Sequence, residues 1–300
     1  HVECPNYDHL QMLEGSEERC ANGLTLFGSL EADLLQEQPV PGEISADGVV
    51  NAASFVSGAV APGEIVAVFG SSIGPPELAG LEVTPSGFVS NAVAGTRVLF
   101  DGVAAPILYA WSQQTSAVVP YSVMGKGTVE IAVEYRGTLS NVVRLPVAES
   151  APGLFAADAT GKGQGAILNQ DYSRNSAANP AEPGSIVMIY GTGEGQTEPQ
   201  GIDGKVTTEP LPRPRLPVSV KIGGVDAEVL YAGGVPTVVA GLLQINARVP
   251  TAAPVGNAVP VLVTIGNSTS QSGITMAVAG SSDVTLSSLS VSPAAVRGGA

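Results

Sequence analysis

Histidine is almost missing from this 300-residue chain: His1 and His9 are the only two, so residues 10–300 carry no imidazole. Triad or general-base chemistry there would lack its usual base. Cysteine is equally sparse, with Cys4 and Cys20 near the N-terminus and no thiol after them. Charged residues make up 13% of the chain, against about 25% in ordinary soluble domains. Thirteen bases face 27 acids, and no basic stripe exists to neutralise phosphates, which argues against nucleic acid as a partner. No apolar run approaches the roughly 18 residues needed to span a bilayer.

What the chain does have is a framework written twice. Pro62-Gly63-Glu64-Ile65-Val66-Ala67-Val68-Phe69-Gly70 returns 121 positions later as Pro183-Gly184-Ser185-Ile186-Val187-Met188-Ile189-Tyr190-Gly191. The echo continues in order: Asp101–Ala110 matches Gly223–Ala232, and Val118-Val119-Pro120 matches Arg248-Val249-Pro250. A period of this length is domain-sized. The shared positions are mostly apolar, Gly or Pro, the residues of a folding framework.

From Val49 onward, short runs rich in Val, Ala, Ser and Thr are punctuated by Gly, Pro, Asn and Asp about every ten residues, the pattern of a β-sandwich or barrel. The first copy reads as strands near 64–69, 96–100, 103–110, 115–119, 129–135 and 141–148, and the second near 185–190, 217–222, 225–232, 241–249, 259–265 and 273–279. Val129, Ile131, Val133 and Tyr135 alternate onto one face, which should be core. Asp101-Gly102 suits a two-residue type I′ hairpin, and Gly223-Gly224 holds the corresponding place. Pro260 cannot donate to a ladder, so its strand is expected at a sheet edge or starting at the proline. The expected organisation is an N-terminal segment, 1–48, with partly helical leucine spacing, or the end of a preceding domain; a first module, 49–157; a second, 158–280; and, from 281 to 300, a linker and the start of a further module. Each module is expected to fold alone, unless the two copies pack closely and unfold as one unit, a choice the sequence leaves open.

Several motifs invite chemical readings. Gly70-Ser71-Ser72-Ile73-Gly74 matches the G-x-S-x-G string, but Pro75-Pro76 and the lack of any later histidine remove the helix and the base that a nucleophilic Ser72 needs. Gly161-Lys162-Gly163-Gln164-Gly165 and Gly191-Thr192-Gly193-Glu194-Gly195 lack phosphate-loop spacing and read as turn glycines. Glu194, Glu198, Asp203 and Glu209 fall in one long loop, where carboxylates could bind Ca²⁺ or, if paired in space, act on a glycoside; they follow no EF-hand spacing, and a solvated acidic loop is the simpler reading. Cys4 and Cys20 would pair as a disulfide if the chain is exported, ahead of free thiols or a zinc site with His1 and His9. Tyr109 recurs as Tyr231, which suggests a shared core or corner role. Trp111 has no counterpart, Gly233 standing in its place, and is a candidate sugar-stacking contact.

A wider set of residues resembles a known family. Val50-Asn51-Ala52-Ala53-Ser54-Phe55 with Ala61-Pro62-Gly63, Phe69-Gly70-Ser71, Val118-Val119-Pro120-Tyr121, Ala151-Pro152-Gly153-Leu154-Phe155, Gln164–Gln170, Asn175–Pro180, Gly191–Thr197 and Leu211-Pro212-Arg213-Pro214 occur in the order typical of the C-terminal domain described as a many-copy region in secreted proteins of the acidobacterium Solibacter. The similarity covers about 49–279. It implies an all-β fold of two tandem immunoglobulin-like sandwiches, similar to IPT/TIG domains, on exported proteins with other repeats, and it carries no catalytic residues to transfer. The expectation is therefore a non-catalytic, extracellular or cell-surface structural or adhesive region with no resident cofactor. Its partners would be extracellular polysaccharide or protein and further modules of the same polypeptide. The alternative is an accessory, polysaccharide-binding region of a secreted enzyme whose catalytic domain lies outside this chain, with binding centred on Trp111 and the 194–209 loop.

Overall fold

The computed structural model describes residues 40–280. The expected partly helical segment, the Cys4–Cys20 pair and the strand start after Gly280 lie outside the described residues, apart from positions 40–48. Within them the fold is all-β, and one 3₁₀ turn at Tyr121–Val123 is the single helical element.

The first sandwich contains β1 (Glu43–Asn51), β2 (Ile65–Ser71), β3 (Ala79–Gly80), β4 (Thr96–Phe100), β5 (Val103–Ala104), β6 (Ile107–Ala110), β7 (Gln114–Val118), β8 (Thr128–Tyr135), β9 (Thr138–Leu139) and β10 (Val143–Pro146). One sheet has the order β1-β2-β7-β6-β3; the other runs β10-β8-β4-β5, with β9 on β8. Between them lie Val66, Val68, Val98, Phe100, Ile107, Ala117, Ile131 and Val133. Each large apolar side chain so enclosed contributes roughly 1.5–3 kcal/mol. Val129, Ile131 and Val133 are core as expected, while Tyr135 at the strand end is half-buried, with the Arg136 guanidinium 5.2 Å from its ring centroid.

The second sandwich contains β11 (Gly153–Leu154), β12 (Gly163–Gln164), β13 (Ile167–Leu168), β14 (Ile186–Thr192), β15 (Thr197–Glu198), β16 (Arg213–Pro214), β17 (Val218–Ile222), β18 (Val225–Gly234), β19 (Leu243–Arg248), β20 (Gly256–Ile265), β21 (Ser268–Thr269) and β22 (Ile274–Val278). Ten of its strands form one continuous sheet along the path β11-β14-β19-β18-β17-β20-β22-β12, with β13 on β14 and β21 on β20, while β15 and β16 pair separately. The long β18 makes this possible by pairing with β17 through Val225–Ala227 and with β19 through Glu228–Gly234. In the first sandwich the same stretch is split into β5 and β6 at Pro106, which has no N–H for the ladder; Glu228 stands at the corresponding place in β18.

The two copies agree in register as well as in sequence. Ile65 pairs with Val118 and Ile186 with Arg248; Val98 pairs with Val133 and Val220 with Val263. The irregularity between Ile107 and Tyr109 in β6 recurs between Val229 and Tyr231 in β18. A side-chain lock recurs too: Ser140 Oγ accepts the Val133 N–H at 2.9 Å, and Ser270 Oγ that of Val263 at 3.1 Å. Both hairpins expected at Asp101-Gly102 and Gly223-Gly224 have two consecutive positive φ angles, +48° and +79° in the first and +61° and +83° in the second.

Three details differ from the expectations. The first sheet starts at Glu43, not near 49, because a register shift between Ile44 and Val49 breaks the alternation that would mark β1 in the sequence. Gly153–Leu154 pairs with β14 and so belongs to the second sandwich although it precedes position 157. Pro260 lies inside β20, which is flanked on both sides by β17 and β22. The β17 ladder stops at Val261, so the missing N–H falls just past its end, and the Pro260 carbonyl accepts the Gly223 N–H at 2.7 Å.

Candidate functional site: the module junction and an aromatic platform

The ordered motifs scattered along the sequence converge where the two sandwiches meet. A small apolar core joins them: Ile65, Val89, Val118, Ala52 and Leu108 from the first pack with Phe155, Val238, Val239 and Leu242 from the second. These residues lie on the outer face of the first sheet, opposite its own core, since Val66 and Ala117 point inward while Ile65 and Val118 point out.

Polar groups lock this contact. The Thr192 hydroxyl accepts the Ile65 N–H at 2.8 Å and donates to the Gly241 carbonyl at 2.7 Å. The Val89 N–H donates to the Gly204 carbonyl at 2.7 Å, bringing the 195–216 loop of the second sandwich onto the first. Asn51 ties three segments together: its amide donates to Glu64 Oε1 at 2.8 Å and to the Ala151 carbonyl at 3.0 Å, while its oxygen accepts the N–H groups of Ala53 and Ser54. Glu64 Oε2 accepts the Ala61 N–H at 2.7 Å. Burial pushes the Glu64 carboxyl up to about 8 against the restraint of these donors.

Asn51→Ala would leave the buried Glu64 carboxyl, the Ala151 carbonyl and two backbone N–H groups each short of a partner. A loss of about 2–4 kcal/mol in urea unfolding is expected. A loss under about 0.5 kcal/mol would show that water takes over these bonds and that Asn51 is not a junction residue.

The second knot is Tyr121 with Glu194. Tyr121 opens the 3₁₀ turn after β7 and is 4% exposed. Its ring lies against Gly63 and Gly201, where any Cβ would strike it. Its backbone N–H donates to Asp203 Oδ1 at 2.8 Å. Glu194 is 1% exposed, and neither its Oε2 nor Tyr121 Oη has a hydrogen-bond partner. Burial pushes the Glu194 carboxyl up to about 7, and it raises the Tyr121 hydroxyl further with help from the nearby Glu194 and Asp203 charges. Asp203 is itself raised by burial.

The expected solvated acidic loop is therefore corrected. Glu194 is enclosed and Asp203 holds the Tyr121 backbone, while Glu198 and Glu209 are exposed. The four do not gather, and among the described residues no three His, Cys, Asp or Glu side chains form a cluster able to hold a metal ion. Sequence reasoning gave Asn51, Glu64 and Tyr121 no role. A signal existed for Glu64, a lone charge at the start of an apolar strand whose counterpart, Ser185, is neutral.

Trp111 lies elsewhere, at the free end of the first sheet. Its indole Nε1 donates to the Pro76 carbonyl at 3.0 Å. With Leu78, Tyr109 and Gln114 it lines an open hollow of about 460 Å³. Gln114 Nε2 donates to Tyr109 Oη at 2.7 Å, which leaves the tyrosine proton and the Gln114 oxygen available. Leu78 is 69% exposed and Phe69, the cross-strand partner of Gln114, 38%. The G-x-S-x-G loop next to this platform is structural: Ile73 is fully buried with its N–H on the Ser112 carbonyl, and Ser72 is an exposed turn residue with φ +55°.

No family model and no curated protein matches this chain. Among solved structures it is similar to the full extracellular region of Plexin A4, domains 1 to 8, at 12% identity and a TM-score of 0.27, covering 92% of this chain. The chain spans a fifth of the length of that protein. A likeness of this degree carries no argument about fold or activity, and the β-sandwich assignment rests on the strand pairing described above. No helix among the described residues is long and apolar enough to cross a membrane.

Proposed function

We propose that this chain is a non-catalytic structural or adhesive region of a secreted or cell-surface protein, in which the two sandwiches act as one rigid spacer. The observation that carries this reading is the convergence of the motif residues on the junction. Asn51, Gly63 and Glu64, Tyr121, Ala151, Thr192 to Glu194 and Gly201 hold one module against the other. The same convergence supports membership of the Solibacter-type domain family, whose ordered motifs would be preserved to keep this inter-module geometry. The buried carboxylates fit the reading as well: Glu64 has both oxygens occupied by protein donors, and Glu194 faces Tyr121 inside the junction.

A spacer held in this way unfolds as a unit. Thermal unfolding of the full chain should give one calorimetric transition with calorimetric and van't Hoff enthalpies in agreement. Two separated transitions would mean that the junction does not couple the modules, and the rigid-spacer reading would fall. Of the two outcomes the sequence leaves open, unfolding as one unit is favoured by the contact itself, since a first module alone would expose Ile65, Val89 and Val118, which are buried against Val239 and its neighbours.

A further inference from the structure

The second sandwich supplies an internal template for what the open platform of the first is built to hold. Tyr109 pairs with Ser116 and Tyr231 with Asn246, each just after the shared strand irregularity, so the two tyrosines occupy corresponding places in the two copies. Around Tyr231 that place is covered from within the chain. The Gly234 N–H donates to the Pro212 carbonyl at 2.8 Å, and Pro212 O lies so near Gly233 that a Cβ there would come within 2.6 Å of it. The next residue, Arg213, sets its guanidinium 5.4 Å from the centroid of the Tyr231 ring.

The first sandwich keeps the ring and fills the strand edge beside it with β3, whose Gly80 and Ala79 pair with Tyr109 and Ala110, but it sets no cation over the ring. Its loop over the same end of the sheet reads Pro76-Glu77-Leu78-Ala79-Gly80 and brings no cation. Trp111 replaces Gly233 and adds a second, larger π-face, the type a guanidinium or ammonium binds best. Among the described residues no cation lies over Tyr109 or Trp111. Glu77 and Glu82 flank the site, both exposed and neither in an ion pair with a described residue. The chain as a whole carries a net charge of −14, so a basic partner would also be drawn to it at long range.

We propose that the Tyr109–Trp111 platform binds an arginine side chain presented by an extended, proline-flanked segment of another polypeptide, its guanidinium placed on the rings as that of Arg213 is placed on Tyr231. The guanidinium stacks on the open ring faces, Gln114 Oε1 accepts one of its N–H groups, and Glu77 provides the counter-charge. A neutral glycan, the occupant that the sequence suggests for Trp111, is the competing outcome.

Trp111 is the sole tryptophan, so its emission reports this site directly. The probe is the synthetic hexapeptide Leu-Pro-Arg-Pro-Arg-Leu, the sequence of residues 211–216, titrated into the full chain. A saturable change in Trp111 emission is expected, weakened roughly 3- to 30-fold when both arginines of the peptide are replaced by glutamine. Titration calorimetry should show the binding lost in Trp111→Gly, the residue present in the second copy, with the unfolding midpoint held near that of the parent. No emission response to the peptide, or equal affinity for the glutamine peptide, would overturn the proposal. Saturable binding of neutral oligosaccharides with the arginine peptide silent would overturn it in favour of a sugar platform.

Discussion

Gly193→Ala should destabilise the protein by about 3–5 kcal/mol, near the top of the range for a single substitution. Two effects add. Gly193 sits at φ +83°, where any L-residue with a Cβ is strained by about 1–2 kcal/mol. The added methyl would also overlap the Ala151 carbonyl oxygen, which accepts no displacement cheaply because the Ala151 N–H is bonded to the Gly193 carbonyl at 2.9 Å. Gly102→Ala separates the two, since Gly102 has φ +79° but open space where its Cβ would stand. That variant should lose only the backbone part, about 1 kcal/mol. Equal losses for the two variants in urea unfolding would show that close approach at Ala151 does not hold the modules together.

Stability should fall as pH rises from about 5 to 8, the reverse of ordinary acid denaturation. Glu194 and Glu64 have folded-state values of about 7 and about 8 against an ordinary 4.5. The native protein therefore holds protons that the unfolded chain has released, and its advantage shrinks across that interval by about 1.4 kcal/mol per pH unit for each group. Glu194 alone accounts for about 3 kcal/mol between pH 4.5 and 7, after which its share is flat. Protonation suits Glu194 sterically, since its Oε2 accepts no bond that a proton would displace. Burial is what holds Glu194 up, and its charge in turn raises the Tyr121 and Tyr231 hydroxyls beside it. Asp101, Asp158 and Asp171 are lowered by their hydrogen bonds and oppose the trend only below about pH 4, where their contribution is lost. Glu194→Gln should flatten the curve between pH 5 and 7 while leaving the Glu64 share up to pH 8. A wild-type profile that is level or rising from pH 5 to 8 would show that both carboxylates are solvated and that the junction is looser than described.

The turn and strand framework was legible in the residues because each of its causes is local. Asp101-Gly102 and Gly223-Gly224 demand positive φ, and both adopt it. Val129, Ile131 and Val133 alternate and are buried together. What failed did so where a local rule met a longer-range one. Pro260 argues for an edge, yet its strand is interior because neighbouring ladders end beside it. Glu194 and Asp203 look solvated in a loop rich in Gly and Pro, yet they meet Tyr121 from more than 70 positions away. Trp111 stands out through a failed repeat, but the hollow it lines with Leu78, Tyr109 and Gln114 forms only when β3 pairs with β6 and β6 with β7.

By itself the sequence determined that this protein is all-β, that its framework is written twice, and where most of its strands and tight turns fall. Periodicity and backbone conformation act between near neighbours, so they leave their mark on short stretches of chain. Only the tertiary structure decided which sheet faces meet, which carboxylates are enclosed and which aromatic rings stay open. Those outcomes depend on pairing and desolvation between residues such as Ile65 with Val239, Asn51 with Ala151, and Tyr121 with Glu194, and no local pattern encodes them.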